Sequence, residues 1–245
     1  MNPNTDSEWE RWGQREPYFG VITDARFRRQ ALTTESKQAF FDSGVAHVDY
    51  VIQMIRMHIA SDFRPASVLD FGCGVGRTLV PFARIAGRVV GIDVAASMLE
   101  EARANCHRFD VHNVDLQLSD DELLHAPGRF DLVHSFIVFQ HIAPERGKTL
   151  FARLIQRIAA GGVGAIHVLY SKRAYDASLG VAPARSAALP SLPRSEELDP
   201  EMQMNAYGAT EVFFLLQNRG VHRVHVEFTD HGGELGVFLF FRAPA

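Results

Sequence analysis

Apolar residues recur at intervals of three and four from Thr34 to about Ala60: Phe40, Phe41, Val45, Val48, Val51, Ile52, Ile55 and Ile59. That spacing predicts one face of an amphipathic helix, with a break near Gly44 and a stop at Pro65. Further on, apolar runs and helical patterns alternate. Strands are expected over about 66–71, 88–93, 114–118, 130–136 and 163–170, and helices over about 76–86, 95–105 and 144–159. Pro144 suits a first helical turn, and Gly161-Gly162 marks the turn into the fifth strand. A helix over about 209–219 stops at Gly220. Strands over about 221–229 and 235–242 follow, joined by His231-Gly232-Gly233 as a hairpin turn. The pattern predicts an α/β fold: a doubly wound, mostly parallel, seven-stranded, Rossmann-like sheet with an antiparallel last strand.

Two segments fall outside this rhythm. Residues 1–33 are polar and rich in aromatics, and predict an arm with little regular structure. Residues 171–206 carry Pro183, Pro190, Pro193 and Pro200 with little periodicity. So long an irregular segment predicts a lid over a substrate. The expected division is an arm and helical cover over 1–62 and a sheet domain over 63–245.

A length of 245 residues suits one domain with additions, and 47% hydrophobic content allows a sizeable core. A formal charge of −4 without a Lys/Arg stripe speaks against a nucleic-acid partner. The only cysteines, Cys73 and Cys106, make no disulfide framework and fit a reducing cytoplasm. The N-terminus lacks the signal-peptide pattern, and no apolar run reaches about 18 residues, so no membrane association is expected. A homo-oligomer stays open.

The chemistry concentrates at Val68–Arg77, V-L-D-F-G-C-G-V-G-R. An expected strand ends at Asp70, and Gly72, Gly74 and Gly76 then lead into an expected helix. Glycines in that context form a nucleotide-type corner. A carboxylate two residues before the first glycine repels a diphosphate and attracts a ligand that carries ammonium and sulfonium groups, as S-adenosylmethionine (SAM) does. Arg77 stands where the dinucleotide fingerprint has its third glycine, and no P-loop lysine is present. Asp93 ends the next expected strand, about 20 residues on. It suits either both ribose hydroxyls or an N-cap, and beside the glycine corner the ribose role is the better fit.

D-F-G-C-G-V-G followed by G-I-D-V-A-A-S-M-L resembles the class I SAM-dependent methyltransferases, small-molecule branch. The resemblance runs on through L-S-D-D-E-L, F-D-L-V-H-S-F-I-V-F-Q-H-I and A-A-G-G-V-G-A, covering about residues 65–170. It implies that Asp70, Gly72 and Gly74 hold the methionine end of SAM and that Asp93 holds the ribose. Val94 and Met98 would pack on adenine. Asp120, or its neighbour Asp121, would meet the adenine amino group, with Asp121 or Glu122 giving a backbone donor. Phe136 would lie beside the sulfonium. The product would be S-adenosylhomocysteine (SAH).

Transfer to oxygen also needs a base. His141 in F-Q-H-I is the candidate, with a pocket-shaping role as its alternative, and Gln140 would orient the substrate. Tyr18 and Phe19, with Trp9 and Trp12, would close over the cofactor; Tyr170 and Tyr207 would line the acceptor pocket. Lys172, Arg173, Arg185 and Arg194 could meet an acidic acceptor. His134 and His167 read as core residues, and His222, His225 and His231 show no metal-ligand spacing, so no metal is expected. Where the family's base-methylating members carry Asn/Asp-Pro-Pro-Tyr/Phe, this chain has Ser135-Phe136-Ile137-Val138. The expected function is SAM-dependent methylation of a small molecule, most simply at oxygen, in sugar or secondary-metabolite biosynthesis. N-methylation of a small amine and SAM binding without transfer are the alternatives.

Overall fold

The computed structural model describes residues 5–172 and 199–244. Seven strands form one sheet: β1 (Ser67–Phe71), β2 (Arg88–Asp93), β3 (Val114–Leu118), β4 (Phe130–Ser135), β5 (Ile158–Lys172), β6 (Val224–Asp230) and β7 (Glu234–Arg242). Their order is β3-β2-β1-β4-β5-β7-β6. The first five pair in parallel, and β7 runs antiparallel to both β5 and β6. The predicted mixed sheet is what the chain forms. The β1 run Val68-Leu69-Asp70-Phe71 is buried throughout, as expected for a central parallel strand covered on both faces. The chain order reverses between β1 and β4, so the crevice above their carboxyl ends is where an open α/β sheet binds ligands.

The helices are α1 (Thr5–Arg15), α2 (Pro17–Val21), α3 (Thr34–His58), α4 (Leu79–Ile85), α5 (Ala96–Arg108), α6 (Pro144–Gln156) and α7 (Ala209–Asn218). Val48, Val51, Ile52 and Ile55 of α3 join Leu79 and Phe82 of α4 on one face of the sheet. Leu150, Phe151 and Leu154 of α6 and Val212 and Leu216 of α7 cover the other. Among the described residues no helix is long and apolar enough to cross a membrane.

Three expectations need correction. The arm is helical: besides α1 and α2 it has short 3-10 turns at Ala25–Phe27 and Arg29–Ala31. Its aromatics, Trp12, Tyr18, Phe19 and Phe27, pack with Phe40 and Phe41 of α3 into a third cluster that also takes in Met98. Only the folded partner surface makes that pattern visible, because α1 is strongly polar outside its buried Trp12 and Gly13. α3 is unbroken at Gly44. There a side chain is excluded, because a Cβ would come within 2.1 Å of the Arg77 carbonyl. A capping box between Thr33 and Ser36 starts α3, and it ends at His58, seven positions before Pro65. Finally, β5 begins at Ile158, before the glycine pair, with a register shift against β4 between Phe130 and Leu132.

Most of the expected lid, including Arg173, Arg185 and Arg194, lies outside the described residues. Its end is described. Residues 199–207 run as a strap against the arm and β5: Asp199 pairs with Arg28 at 2.6 Å, and the Tyr207 amide donates to the Leu169 carbonyl at 2.8 Å.

Candidate active site

β1 delivers the chain into Gly72–Gly76 with two hydrogen bonds to its neighbour: the Gly72 and Cys73 amides donate to the Ile92 carbonyl of β2 at 2.8 and 3.1 Å. Gly72 has φ 72°, and a Cβ there would lie 2.4 Å from Val138. Gly74, at φ 52°, would put a Cβ 2.8 Å from Val21. Both positions need a left-handed backbone that glycine adopts without penalty. The Gly74 amide donates to Asp93 Oδ2 at 2.9 Å, and the Ala95 amide donates to Oδ1 at 2.9 Å. Asp93 therefore locks the glycine loop to the start of α5. Each of its oxygens keeps lone-pair capacity for a further donor. Burial pushes its pKa up to about 6, against the backbone bonds from Ala95 and Gly74.

Asp70 lines the same cavity, but its carboxylate is not bare. Thr78 Oγ1 donates to Oδ2 at 2.6 Å, and His134 Nδ1 lies 2.7 Å from Oδ1. His134 Nε2 is 3.0 Å from His47 Nε2. Nδ1–H of His134 donates to Asp70, and the opposite edge of the same ring meets His47. Burial, and then the neighbouring His134, hold the His47 pKa down at about 2, so this ring is neutral. Asp70 thus acts on the cavity through its charge, oriented by three side chains the glycine motif does not contain.

The cavity over this corner is about 500 Å³, within the range of small-molecule sites. Asp70, Gly72, Gly74, Asp93, Val94, Met98, Asp121, Phe136, Gln140 and His141 all line it. The set offers backbone approach at glycines, three carboxylates and an apolar wall, which fits a nucleoside bearing a cationic amino-acid tail. Ser119, the serine of L-S-D-D-E-L to which no role was given, lines it as well.

Other expected residues lie elsewhere. Asp120 turns its carboxylate onto its own loop, accepting from the amides of Glu122 at 2.8 Å and Leu124 at 3.0 Å, and is not in the cavity wall. Asp121 holds that place and pairs with Arg146 at 2.7 Å. Glu122 reaches Arg153 at 2.6 Å, outside the cavity. Tyr18 and Phe19 belong to the cover's core. The Tyr18 hydroxyl sits between Glu101 at 2.6 Å and Asn105 at 3.0 Å, and the Arg28 guanidinium stacks 3.5 Å over Phe19. Tyr170 packs toward Phe228. The buried Tyr207 hydroxyl contacts the carbonyls of Phe139 at 2.9 Å and Ile142 at 2.8 Å, bracing the turn that carries His141. Lys172 donates to the Met204 carbonyl at 2.6 Å. Of the arm aromatics proposed to cover the ligand, Trp9 reaches the cavity and Trp12 does not.

His141 sits on a 3-10 turn, Phe139–His141, just before α6. Its Nδ1 is 2.8 Å from the Gln203 carbonyl of the strap, so Nδ1–H donates there and Nε2 carries the lone pair. The Trp9 ring meets it edge-on at 4.8 Å. Burial lowers its pKa to about 4, opposed by the Gln203 bond. Next to it, Gln140 Oε1 is buried without a hydrogen-bond partner among the described residues. A buried amide oxygen left in that state is poised for a donor on a ligand.

Across the cavity, Phe136 lies among three imidazoles, with ring centroids at 4.3 Å from His47, 5.2 Å from His167 and 6.0 Å from His231. His167 Nε2 is 2.8 Å from Thr229 Oγ1, and burial holds its pKa at about 3. The fold also gathers His58, His225 and Glu227, whose ligand atoms lie within 4.8 Å of one another. The two rings are stacked at 3.6 Å and nearly parallel, so their in-plane lone pairs run side by side and do not converge on one ion.

Residues 68–162 match the family model described as a methyltransferase domain. Aklanonic acid methyltransferase DauC of Streptomyces sp. (strain C5) is 44% identical over 122 residues, which is 46% of this chain and 53% of that protein. A ubiquinone biosynthesis O-methyltransferase of Bartonella quintana is 33% identical over 82 residues, 33% of each protein. The chain spans about a third to a half of these curated relatives. Among solved structures, magnesium protoporphyrin IX methyltransferase (ChlM) from Synechocystis PCC 6803 with bound SAH superposes with a TM-score of 0.62 at 17% identity, covering 97% of this chain and 94% of that one. The N-methyltransferase NodS from Bradyrhizobium japonicum WM9 gives 0.56 at 16% identity, with coverage of 97% and 100%. At those identities the superpositions speak for the fold. The family match adds that residues 68–162 are similar to a methyltransferase domain, on a fold shared with SAM-dependent methyltransferases.

Proposed function

We propose that this chain transfers the methyl group of SAM to the oxygen of a small molecule and releases SAH. The observation that carries the reading is one continuous cavity with the glycine corner and Asp93 at one end and His141 and Gln140 at the other. A collapsed acceptor side would instead favour cofactor binding alone. Two curated relatives support the small-molecule class by name, one for aklanonic acid and one for O-methylation in ubiquinone biosynthesis.

When bound, SAM supplies a methyl carbon already activated for displacement, so the protein's work is alignment and proton removal. The Gly72 and Gly74 backbone admits the ligand closely, Asp93 accepts from the ribose hydroxyls, and Val94 and Met98 flank the base. Asp121 takes the adenine role that Asp120 cannot, with its own backbone as the ring's donor. Gln140 orients the acceptor through its unused amide oxygen. His141 is neutral at physiological pH and holds a lone pair at Nε2, the form a general base requires. The strap, the arm and Trp9 keep water from the reacting atoms.

Titration calorimetry with SAM, SAH and NAD tests the reading. SAM and SAH are expected to bind and NAD to fail. In Asp93→Ala, SAM affinity should fall by about 1–3 kcal/mol, the usual cost of unpairing buried polar groups. NAD binding, or an Asp93→Ala variant with undiminished SAM affinity, would end the assignment.

A further inference from the structure

A second cleft, of about 440 Å³, shares no lining residue with the cavity over the glycine corner. It lies between the loop from β3 to β4 and the last turn of α6, and is lined by Glu122, Gly128, Arg129, Arg153, Gln156 and Arg157. Three of the six are arginines and one is an acid. Each guanidinium is tethered to a main-chain carbonyl. Arg129 Nη1 donates to Ile158 at 3.3 Å, Arg157 Nη2 to Leu123 at 2.6 Å, and Arg153 Nη1 to Asp121. Arg153 also pairs with Glu122 at 2.6 Å. No carboxylate among the described residues lies within ion-pair distance of Arg129 or Arg157.

The fold's own charges do not balance this cluster. α6 ends at Gln156, and the negative end of its dipole offsets roughly half a charge. Three cations against Glu122 and that half charge leave more than one positive charge unmatched. The carbonyl tethers hold the side chains on one cleft, so their mutual repulsion persists until an anion arrives. The wall is open at Gly128, where φ is 93° and a Cβ would meet nothing within 4 Å. A carboxylate has two oxygens in one plane and suits one guanidinium fork. A phosphate group has oxygens on several sides and accepts from more than one fork at once. A formal charge of −4 gives no long-range attraction for a nucleic acid, and a cleft of this volume suits a small ligand.

We propose that this cleft binds a phosphate group through Arg129, Arg153 and Arg157. Two sources carry that chemistry: a free inorganic phosphate or pyrophosphate, and the phosphate ester of a small molecule. The site is independent of the methyl-transfer reading.

The test is calorimetry on the full chain at constant ionic strength. Inorganic pyrophosphate and glucose 6-phosphate are the probes, and glucose is the uncharged match. The wild type is expected to bind at least one of the two phosphates and not to bind glucose. Tighter binding of pyrophosphate identifies a free inorganic anion as the source, and tighter binding of glucose 6-phosphate identifies an ester. Arg129→Gln and Arg157→Gln should each weaken the bound probe by about 3- to 10-fold, and Arg129→Lys should recover part of the loss. Arg129 is exposed, so its variants keep the test decisive should Arg157→Gln, which loses the Leu123 tether, fold poorly. Arg84→Gln removes the same charge from an exposed position on α4, outside the cleft, and should leave the affinity unchanged. The site is overturned if neither phosphate binds the wild type at millimolar concentration, if glucose binds as well as its phosphate, or if Arg129→Gln keeps full affinity. An equal loss in Arg84→Gln also overturns it, because the anion would then answer to overall charge and not to the cleft.

Discussion

The two ends of the cavity are built by different means. At the glycine end, the ends of adjacent strands and the turns that follow them do the work. Asp93 accepts from Ala95 two residues on, and the Gly72 and Cys73 amides bond to the strand beside them. The carboxylates there are held by backbone and hydroxyl donors, and Asp70 by the His134 imidazole as well. At the other end, the wall is assembled from segments far apart. Thr5 Oγ1 donates to the His141 carbonyl across 136 positions, and Gln203 of the strap fixes the His141 ring. The titratable groups at that end are imidazoles kept neutral by burial. The cofactor end needs charge, which short-range hydrogen bonding can hold. The acceptor end needs an uncharged lone pair, which requires desolvation, and only the folded cover supplies that.

The largest effect should come from removing that lone pair. His141→Ala is expected to lower turnover by about 10²–10⁴-fold and leave SAM affinity unchanged, the range for losing a general base. The pH profile sharpens the point. Because burial lowers the His141 pKa to about 4, its basic form is lost only as pH falls through that value. Turnover should therefore show no limb near 6.5 from this residue. A variant with full activity would leave His141 as a shaping residue of the turn. A limb near 6.5 that vanishes in the variant would show that the ring is wetter in solution than its burial here implies.

The same contrast explains what could be read from the sequence. The mostly parallel sheet and its antiparallel last strand follow from local patterns: buried runs such as Val68–Phe71, glycine punctuation, and the hairpin at His231-Gly232-Gly233. That one cavity would gather the glycine corner was legible for the same reason, since Asp70, the glycines and Asp93 sit at the ends of adjacent strands, while Val94 and Met98 came with the family resemblance. Asp120 and Asp121 show the limit. They are adjacent and chemically alike, and the choice depends on which one the turn consumes for its own amides. The arm's helices were illegible because their apolar face is completed by α3 and α5. Tyr18, Phe19 and Tyr207 look like pocket aromatics by composition, but their hydroxyls and faces are spent on Glu101, Arg28 and the Phe139 carbonyl.

Acid should break the acceptor end first. His47, His141 and His167 have folded pKa values of about 2, 4 and 3, below the unfolded value near 6.5. The unfolded chain therefore binds more protons as pH falls from about 6.5, and stability drops in that direction. Asp93 works the other way, since its folded pKa is raised to about 6 and the folded state binds its proton first. Three imidazoles against one carboxyl leave about two protons, or roughly 3 kcal/mol of stability lost per pH unit near pH 5. Urea melts between pH 7 and 5 measure the slope. A flat profile would mean that these imidazoles take up protons in the folded state at their ordinary pKa.

The smallest effect concerns how firmly the cover is joined to the sheet. Arg146, at the start of α6, holds Asp6 of α1 by two hydrogen bonds, at 2.6 and 2.9 Å, and Asp121 of the cavity wall by others. The Asp6 and Arg146 side chains are 33% and 27% exposed, so solvent screens the pair and its contribution is about 1 kcal/mol or less. Asp6→Ala should therefore shift the global melt only slightly. Its effect should concentrate in α1, whose remaining ties are Trp12 in the cover's core and a few hydrogen bonds such as that of Thr5 to the His141 carbonyl. Hydrogen exchange should quicken over Thr5–Arg15, with the amides of β1 and β4 unchanged. Equal acceleration in α1 and the central strands would mean that arm and sheet open together. In that case the acceptor end would be part of the cooperative core, and the division between a locally specified end and an assembled one would hold for the sequence but not for the motion.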